Sequence, residues 1–317
     1  MKKHLLLITM ALSLISPSCS VASLILTKGL EPKIRQSDFQ KQRDKMERRV
    51  PGITAWVDSL TEAGVMQDYY IVRDGYRLHS YYAPAPRPSR KTAIVVHGYG
   101  VNPTNVMMLA RIYRDCLGYN IWLPTLRHHG LSEGKAIQMG WFDRLDVIDW
   151  AEVAHNHFGD TLQVMHGMSM GAATVMMASG EELPDYIRGF VEDCGYSSLR
   201  KEVEWVLKKR LHLPGSRSIV EKADTLCYER YGWRISEVSS TEKLASCSRP
   251  MLFIHGGADP LVPVEMAYEN YEAKVNGYKE IWIPEGSAHS MSYPDYPEEY
   301  TAKIVDFVLN HVEACEE

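Results

Sequence analysis

Six cysteines are scattered along 317 residues, and no two of them form a CxxC pair. That spacing argues against a structural zinc site or a dithiol redox centre. A basic excess is missing too. Lysine and arginine number 35 against 40 aspartates and glutamates, a formal net charge of −5. No basic stripe carries interleaved aromatics, so the footprint of a nucleic-acid-binding surface is absent. Nothing recurs at a fixed period, which excludes a solenoid. Beyond Leu26 no apolar run is long enough to span a bilayer. A disordered chain is excluded as well, because apolar residues make up 45% and charged residues 24%, near the globular average. The length suits one large α/β domain or two small ones.

What is present begins at the N-terminus. Lys2 and Lys3 precede an apolar run, Leu5 to Ile15, and small residues follow in SPSCSVAS. This is the layout of an export signal. A cut after Ala22 satisfies the small-x-small preference through Ser20 and Ala22. Cys19 offers a lipoprotein route, although Ser16-Pro17-Ser18 lacks the usual apolar residue three before the cysteine. The uncharged stretch Leu5 to Leu26 also has the length of an anchor, about 20 residues, but its serines and Pro17 count against that. The expectation is export across an inner membrane to the periplasm or cell envelope. Residues 1–22 would be a signal or anchor, 23–64 a charged helical extension broken at Pro51-Gly52, and 65–317 the main domain.

The stretch QDYYIVRDGYRLHSYYAPA alternates in polarity around Asp74-Gly75, a hairpin signal. From residue 92 short apolar strands alternate with helical stretches: TAIVV, NIWLP, LQVM, GFVED, MLFI and KEIWI each lead into one. Strands alternating with helices imply an α/β fold, a mostly parallel sheet covered on both faces. Residues 196–248 break the alternation and read as a helical lid. Cys227 and Cys247 both lie in or at the end of this excursion. They can pair in an oxidising compartment, and buried free thiols fit equally well.

Three predicted strands end in His-Gly: IVVHGYG, QVMHGMSMG and LFIHGGAD. In open parallel sheets ligands bind beyond the carboxyl ends of the strands, so these endings should meet at one site. His97, His166 and His255 have no carboxylate at ligand spacing, and each precedes a tight turn. Structural histidines therefore fit better than a zinc cluster, and no metal is expected.

The second ending contains Gly167-Met168-Ser169-Met170-Gly171, with a strand before it and an Ala/Met-rich helix after it. In that context G-x-S-x-G is a nucleophile elbow. A lone serine is a weak nucleophile and needs a base. Asp259 follows the strand MLFI, and His289 follows KEIWI in a loop of small polar residues. The order Ser169, Asp259, His289 is that of a hydrolase triad. Asp193, at the end of GFVED, is the rival acid.

Together these motifs resemble the α/β-hydrolase fold family, on the branch with short lids that includes small esterases, monoacylglycerol-lipase-like enzymes and serine aminopeptidases. The resemblance covers about residues 70 to 313. HGYG is similar to the oxyanion-hole loop, GMSMGA to the elbow, GGADPLVP to the acid turn and AHSMS to the histidine loop. LPTLRHHGLSEG is similar to D-x-R-G-H-G-x-S, with Thr125 where aspartate is common and His128 where glycine is common. The resemblance implies that Ser169 attacks a carbonyl carbon, that His289 moves the proton and that Asp259 orients the imidazole. The N–H groups of Tyr99 and Met170 would hold the oxyanion. His129 is expected to organise a loop near the pocket, and Tyr99, Trp122 and the lid residues Trp205, Tyr228, Tyr231 and Trp233 are candidate pocket walls. The apolar lid stripe of Val203, Val206 or Leu207, and Leu211 reads as lid-to-core packing.

The expected partner is a small-molecule acyl substrate, most simply a carboxylic ester. A peptide or amide bond is the alternative within the same chemistry, and a non-catalytic binding scaffold is the alternative of another class. Nothing in the sequence signals a cofactor.

Overall fold

The computed structural model describes residues 17–32 and 38–316. Lys2, Lys3 and the apolar run Leu5 to Ile15 lie outside the described residues, as does the side chain of Cys19. Among the described residues no helix is long and apolar enough to cross a membrane.

Eight strands form one sheet in the order β1-β2-β4-β3-β5-β6-β7-β8. The hairpin β1 (Gln67–Arg73) and β2 (Tyr76–Ala83) is antiparallel, and Arg73 pairs with Tyr76. The two residues between them, Asp74 and Gly75, have φ of 50° and 79°, the left-handed pair that a two-residue hairpin turn requires. The strands β3 (Lys91–Val96), β4 (Asn120–Pro124), β5 (Leu162–Met168), β6 (Ile187–Asp193), β7 (Met251–Ile254) and β8 (Lys279–Trp282) run parallel. Their residues alternate between two cores. Ile94 and Val96 face one, while Ala93 and Val95 face the other. Burial on both faces explains why these strands read as continuous apolar runs.

Among the described residues, three helices precede the sheet: α1 (Pro17–Leu30), α2 (Asp38–Arg49) and α3 (Ile53–Glu62). Along the sheet come α4 (Met107–Arg111), α5 (Asp143–Phe158) and α6 (Met170–Ala178). Between β6 and β7 lie α7 (Leu199–Trp205), α8 (Ser216–Tyr231) and α9 (Ser240–Leu244), and α10 (Glu265–Ala273), α11 (Ser292–Asp295) and α12 (Pro297–Phe307) complete the chain. Cys227 and Cys247 are buried free thiols, so the disulfide alternative is not formed.

Helix α1 packs along α8. It runs straight through the Ala22–Ser23 junction, where the sequence suggests a cut, and Ala22, Leu26 and Leu30 are buried in the main core. Polar contacts fix it further. Arg230 donates to Ser23 Oγ and Thr27 Oγ1, and the Tyr231 hydroxyl donates to Glu31. The segment from 17 to 32 and the helices α7 and α8 thus form one cap over the carboxyl ends of the strands.

Candidate active site

Ser169 is the junction between β5 and α6, with φ 58° and ψ −120°. A non-glycine residue rarely holds that backbone, and it persists only where its surroundings impose it. Here two glycines permit it. A Cβ on Gly167 would lie 2.1 Å from the Gly171 carbonyl oxygen, and one on Gly171 would lie 2.3 Å from that of Val96. The elbow is therefore pressed between its own helix and β3, with room for hydrogen alone. The Ser169 N–H donates to the Asp193 carbonyl at 2.7 Å, which pins the turn to β6.

Ser169 Oγ lies 2.8 Å from His289 Nε2. His289 Nδ1 lies 2.6 Å from Asp259 Oδ2. The other carboxylate oxygen, Oδ1, accepts from the N–H groups of Leu261 (2.8 Å) and Val262 (3.0 Å). The Pro260 turn thereby orients the carboxylate, leaving Oδ2 to accept the Nδ1 proton. Nε2 is then the free lone pair that faces the serine. The rival acid does not reach this chain. Asp193 Oδ2 accepts from the Tyr300 hydroxyl at 3.0 Å, and burial pushes its carboxyl up to about 6.

Met170 begins α6, so its N–H has no intrahelical acceptor. Tyr99 follows Gly98, whose Cβ position lies 3.1 Å from Ser169 Cβ, so this loop lies against Ser169. The Tyr99 ring lines the cavities on both sides of Ser169, and its hydroxyl donates to the Gly29 carbonyl of α1.

His129 holds that loop from behind rather than entering the pocket. Its Nδ1 faces the Arg127 carbonyl at 2.8 Å, and its Nε2 accepts from Gly100 N–H at 3.0 Å. Burial lowers its pKa to about 4, which keeps the acceptor nitrogen unprotonated. Arg127 is itself clamped by both oxygens of Asp146, at 2.6 and 2.7 Å. The two departures from the family pattern are also used. Thr125 Oγ1 meets His79 Nδ1 at 2.8 Å, and His128, at φ 61°, reaches the Pro32 carbonyl of the N-terminal segment at 3.2 Å.

The three strand-end histidines are structural. His97 Nδ1 faces the Gly98 carbonyl, and Nε2 accepts from Leu126 N–H. His166 lies between the hydroxyls of Tyr113 and Tyr300, and His255 Nε2 faces the Val262 carbonyl. Burial lowers His97 and His166 to about 3, so both are neutral. Cys194, Asp259 and His289 do bring one ligand-type atom each within 4.8 Å of one another. However, the aspartate and histidine atoms already bond each other, and burial pushes the Cys194 thiol up, away from the thiolate a metal needs.

A cavity of about 430 Å³ opens on one side of Ser169. Of the six aromatic residues expected there, Tyr99 and Trp233 line it, whereas Trp122, Trp205, Tyr228 and Tyr231 do not. Trp122 is fully buried within the sheet, stacked on Tyr82 with centroids 4.9 Å apart, and lines no pocket. Trp205 is half-buried on the far side of α7, with Lys209 over its ring. Beside Tyr99 and Trp233, the walls are Leu26 and Leu30 of α1 and the lid stripe Val203, Val206, Leu207 and Leu211. That stripe is thus a cavity lining as well as packing. Glu202, one turn before Val206, also lines it. Its Oε2 is buried without a partner, and burial pushes its carboxyl up to about 8. The sequence carried a signal for Glu202, since 199, 202, 203, 206 and 207 follow helical i, i+3, i+4 spacing.

A second cavity, about 190 Å³, opens on the other side, where His289 lines the wall. Lys45 and Arg49 of α2 reach it.

The comparisons with known proteins agree with this architecture. YqkD of Bacillus subtilis is 30% identical over 245 residues, 76% of this chain and 78% of that protein. YfhR of Escherichia coli K12 is 23% identical over 248 residues, 76% and 79% of the two chains. Among solved structures, an esterase of Pyrococcus furiosus superposes with a TM-score of 0.65 at 24% identity, covering 80% of this chain and 95% of that one. Est1E of Butyrivibrio proteoclasticus, solved with ferulic acid bound, superposes at 0.60 with 17% identity, covering 77% and 98%. These two likenesses are of fold. The model of the alpha/beta hydrolase family matches residues 93–303, more than half of the sequence, and the chain belongs to that family.

Proposed function

We propose that the protein is a serine hydrolase that cleaves carboxylic esters through an acyl-enzyme. The observation that carries this reading is the unbroken line of contacts from Ser169 Oγ through His289 to Asp259, at 2.8 and 2.6 Å. In this reading His289 Nε2 takes the serine proton as Oγ attacks the carbonyl carbon. The charge that develops on the carbonyl oxygen is met by the N–H groups of Met170 and Tyr99. His289 then returns the proton to the departing alcohol, and a water repeats the sequence to free the acid. His289 lines the smaller cavity and not the larger. The leaving group therefore belongs on the small side, and the acyl chain in the 430 Å³ apolar cavity.

The test is intact mass after exposure to a fluorophosphonate, alongside turnover of a p-nitrophenyl ester series and the matching p-nitroanilides. Wild type should gain one adduct, and Ser169→Ala none. Turnover in the variant should fall about 10⁴-fold or more. An adduct on Ser169→Ala would overturn the assignment. Anilides cleaved better than esters would move the reading to a peptidase or amidase, and no label on wild type would favour a binding scaffold.

A further inference from the structure

The smaller cavity has a charge that the triad does not explain. Lys45 and Arg49 lie four residues apart on α2 and both line it, beside Ser169 and His289. No carboxylate lines it. Neither cation has an ion pair or hydrogen bond among the described residues; the attracting charge on Arg49 is the exposed Asp295, whose Oδ2 already accepts from Ser287. The two cations also oppose each other. Lys45 keeps an exposed side and Arg49 is half-buried; partial desolvation, and then the neighbouring Arg49, lowers Lys45, and partial desolvation lowers Arg49. Like charges one helical turn apart are destabilising, and an anion between them would relieve both. The alternative is that they merely complement the C-terminal dipole of α2. Arg48, in the same last turn, serves that purpose without lining the cavity; the dipole does not require Lys45 and Arg49 to face one.

We propose that this cavity is a subsite for an anionic leaving group, so that the preferred esters carry a carboxylate or phosphate on the alcohol side. The proposal rests on the ester-hydrolase reading. Ser169 Oγ forms a bond to the acyl carbon, and the bond from that carbon to the alcohol oxygen breaks. The alcohol oxygen takes its proton from His289, and its distant anion stays against Lys45 and Arg49 until release.

The experiment uses the full chain and three aryl esters with one common acyl group. Their leaving phenols carry a para carboxylate, a para phosphonate or a para methyl ester. Wild type should favour at least one charged ester over the neutral one by about 10-fold in kcat/KM. The preference should act through KM and shrink at high salt. The better of the two charged esters names the anion. In Arg49→Gln the ratio of charged to neutral kcat/KM should collapse towards one. Lys45→Gln gives an independent reading should Arg49→Gln fold poorly, and Arg48→Gln should keep the wild-type ratio. A wild type that cleaves the neutral ester without preferring either anion overturns the subsite and leaves the hydrolase reading intact. A ratio unchanged in both variants does the same. A wild type that cleaves none of the three takes the ester reading down, and the subsite with it.

Discussion

The sheet side and the cap side of the site meet at Ser169, and they are built differently. On the sheet side each group is held through a hydrogen bond in which a backbone group takes part. Asp259 is fixed by two N–H donors, the elbow by the Asp193 carbonyl, and the loop at Gly100 by the His129 side chain, which accepts from its N–H. On the cap side the walls are apolar side chains of helices far apart in sequence, Leu26 and Leu30 from α1 and Val203 to Leu211 from the lid. Hydrogen-bonded turns tolerate little displacement, whereas apolar packing tolerates changes of volume. In the proposed reading, the chemistry belongs to the sheet and the selection to the cap.

The strongest way to break that division is to change the acid. Asp259→Asn should lower kcat about 10⁴-fold, because an amide cannot hold His289 in the reactive tautomer. Asp193→Asn, whose carboxylate meets Tyr300 instead, should cost far less. Single-turnover acylation rates of the two variants check this, and equal losses would mean that the acid role is shared. A smaller effect should come from the cap. Leu26→Ala removes three carbons from the cavity wall, and the best acyl chain should lengthen by about two methylenes. At about 0.8 kcal/mol each, that raises kcat/KM on the longer ester about 10-fold. A uniform loss across all chain lengths would show that α1 supports the chemistry as well as the pocket.

The smallest effect concerns Glu202, the buried carboxyl of the cap. Burial raises it to about 8 from an ordinary 4.5. Between those values the folded protein keeps a proton that the unfolded chain has lost. Its contribution to stability therefore falls as pH rises through this window, and levels off above about 8. Glu202→Gln removes that part of the slope, so Tm measured at pH 5 and pH 8.5 should differ less in the variant than in wild type. An unchanged difference would mean that the carboxyl is not desolvated.

The parts legible in sequence were those with local physical signatures. The elbow is legible because G-x-S-x-G between a strand and a helix has a steric cause, seen here in the 2.1 and 2.3 Å approaches at Gly167 and Gly171. The hairpin at Asp74-Gly75 is legible for the same kind of reason. Trp122 misled because a strand buried on both faces has no polarity alternation to say which way each side chain points. Trp205 misled because it lies two residues from Val203, on the opposite side of the helix from the cavity-lining stripe. Lys45 and Arg49 were hidden in a charged run that reads as a solvated face.

The sequence by itself determined the alternation of strands and helices, the elbow, and the chain order of serine, acid and histidine. Each of these is imposed by neighbours within a few residues or by the rules of a parallel sheet. Only the tertiary structure decided which acid meets His289, since Asp193 and Asp259 end adjacent strands and differ in which donors their turns supply. It alone decided that α1 and α2 wall the site, because contacts between residues as distant as Leu26 and Val206 are set by packing across the whole fold and leave no local trace.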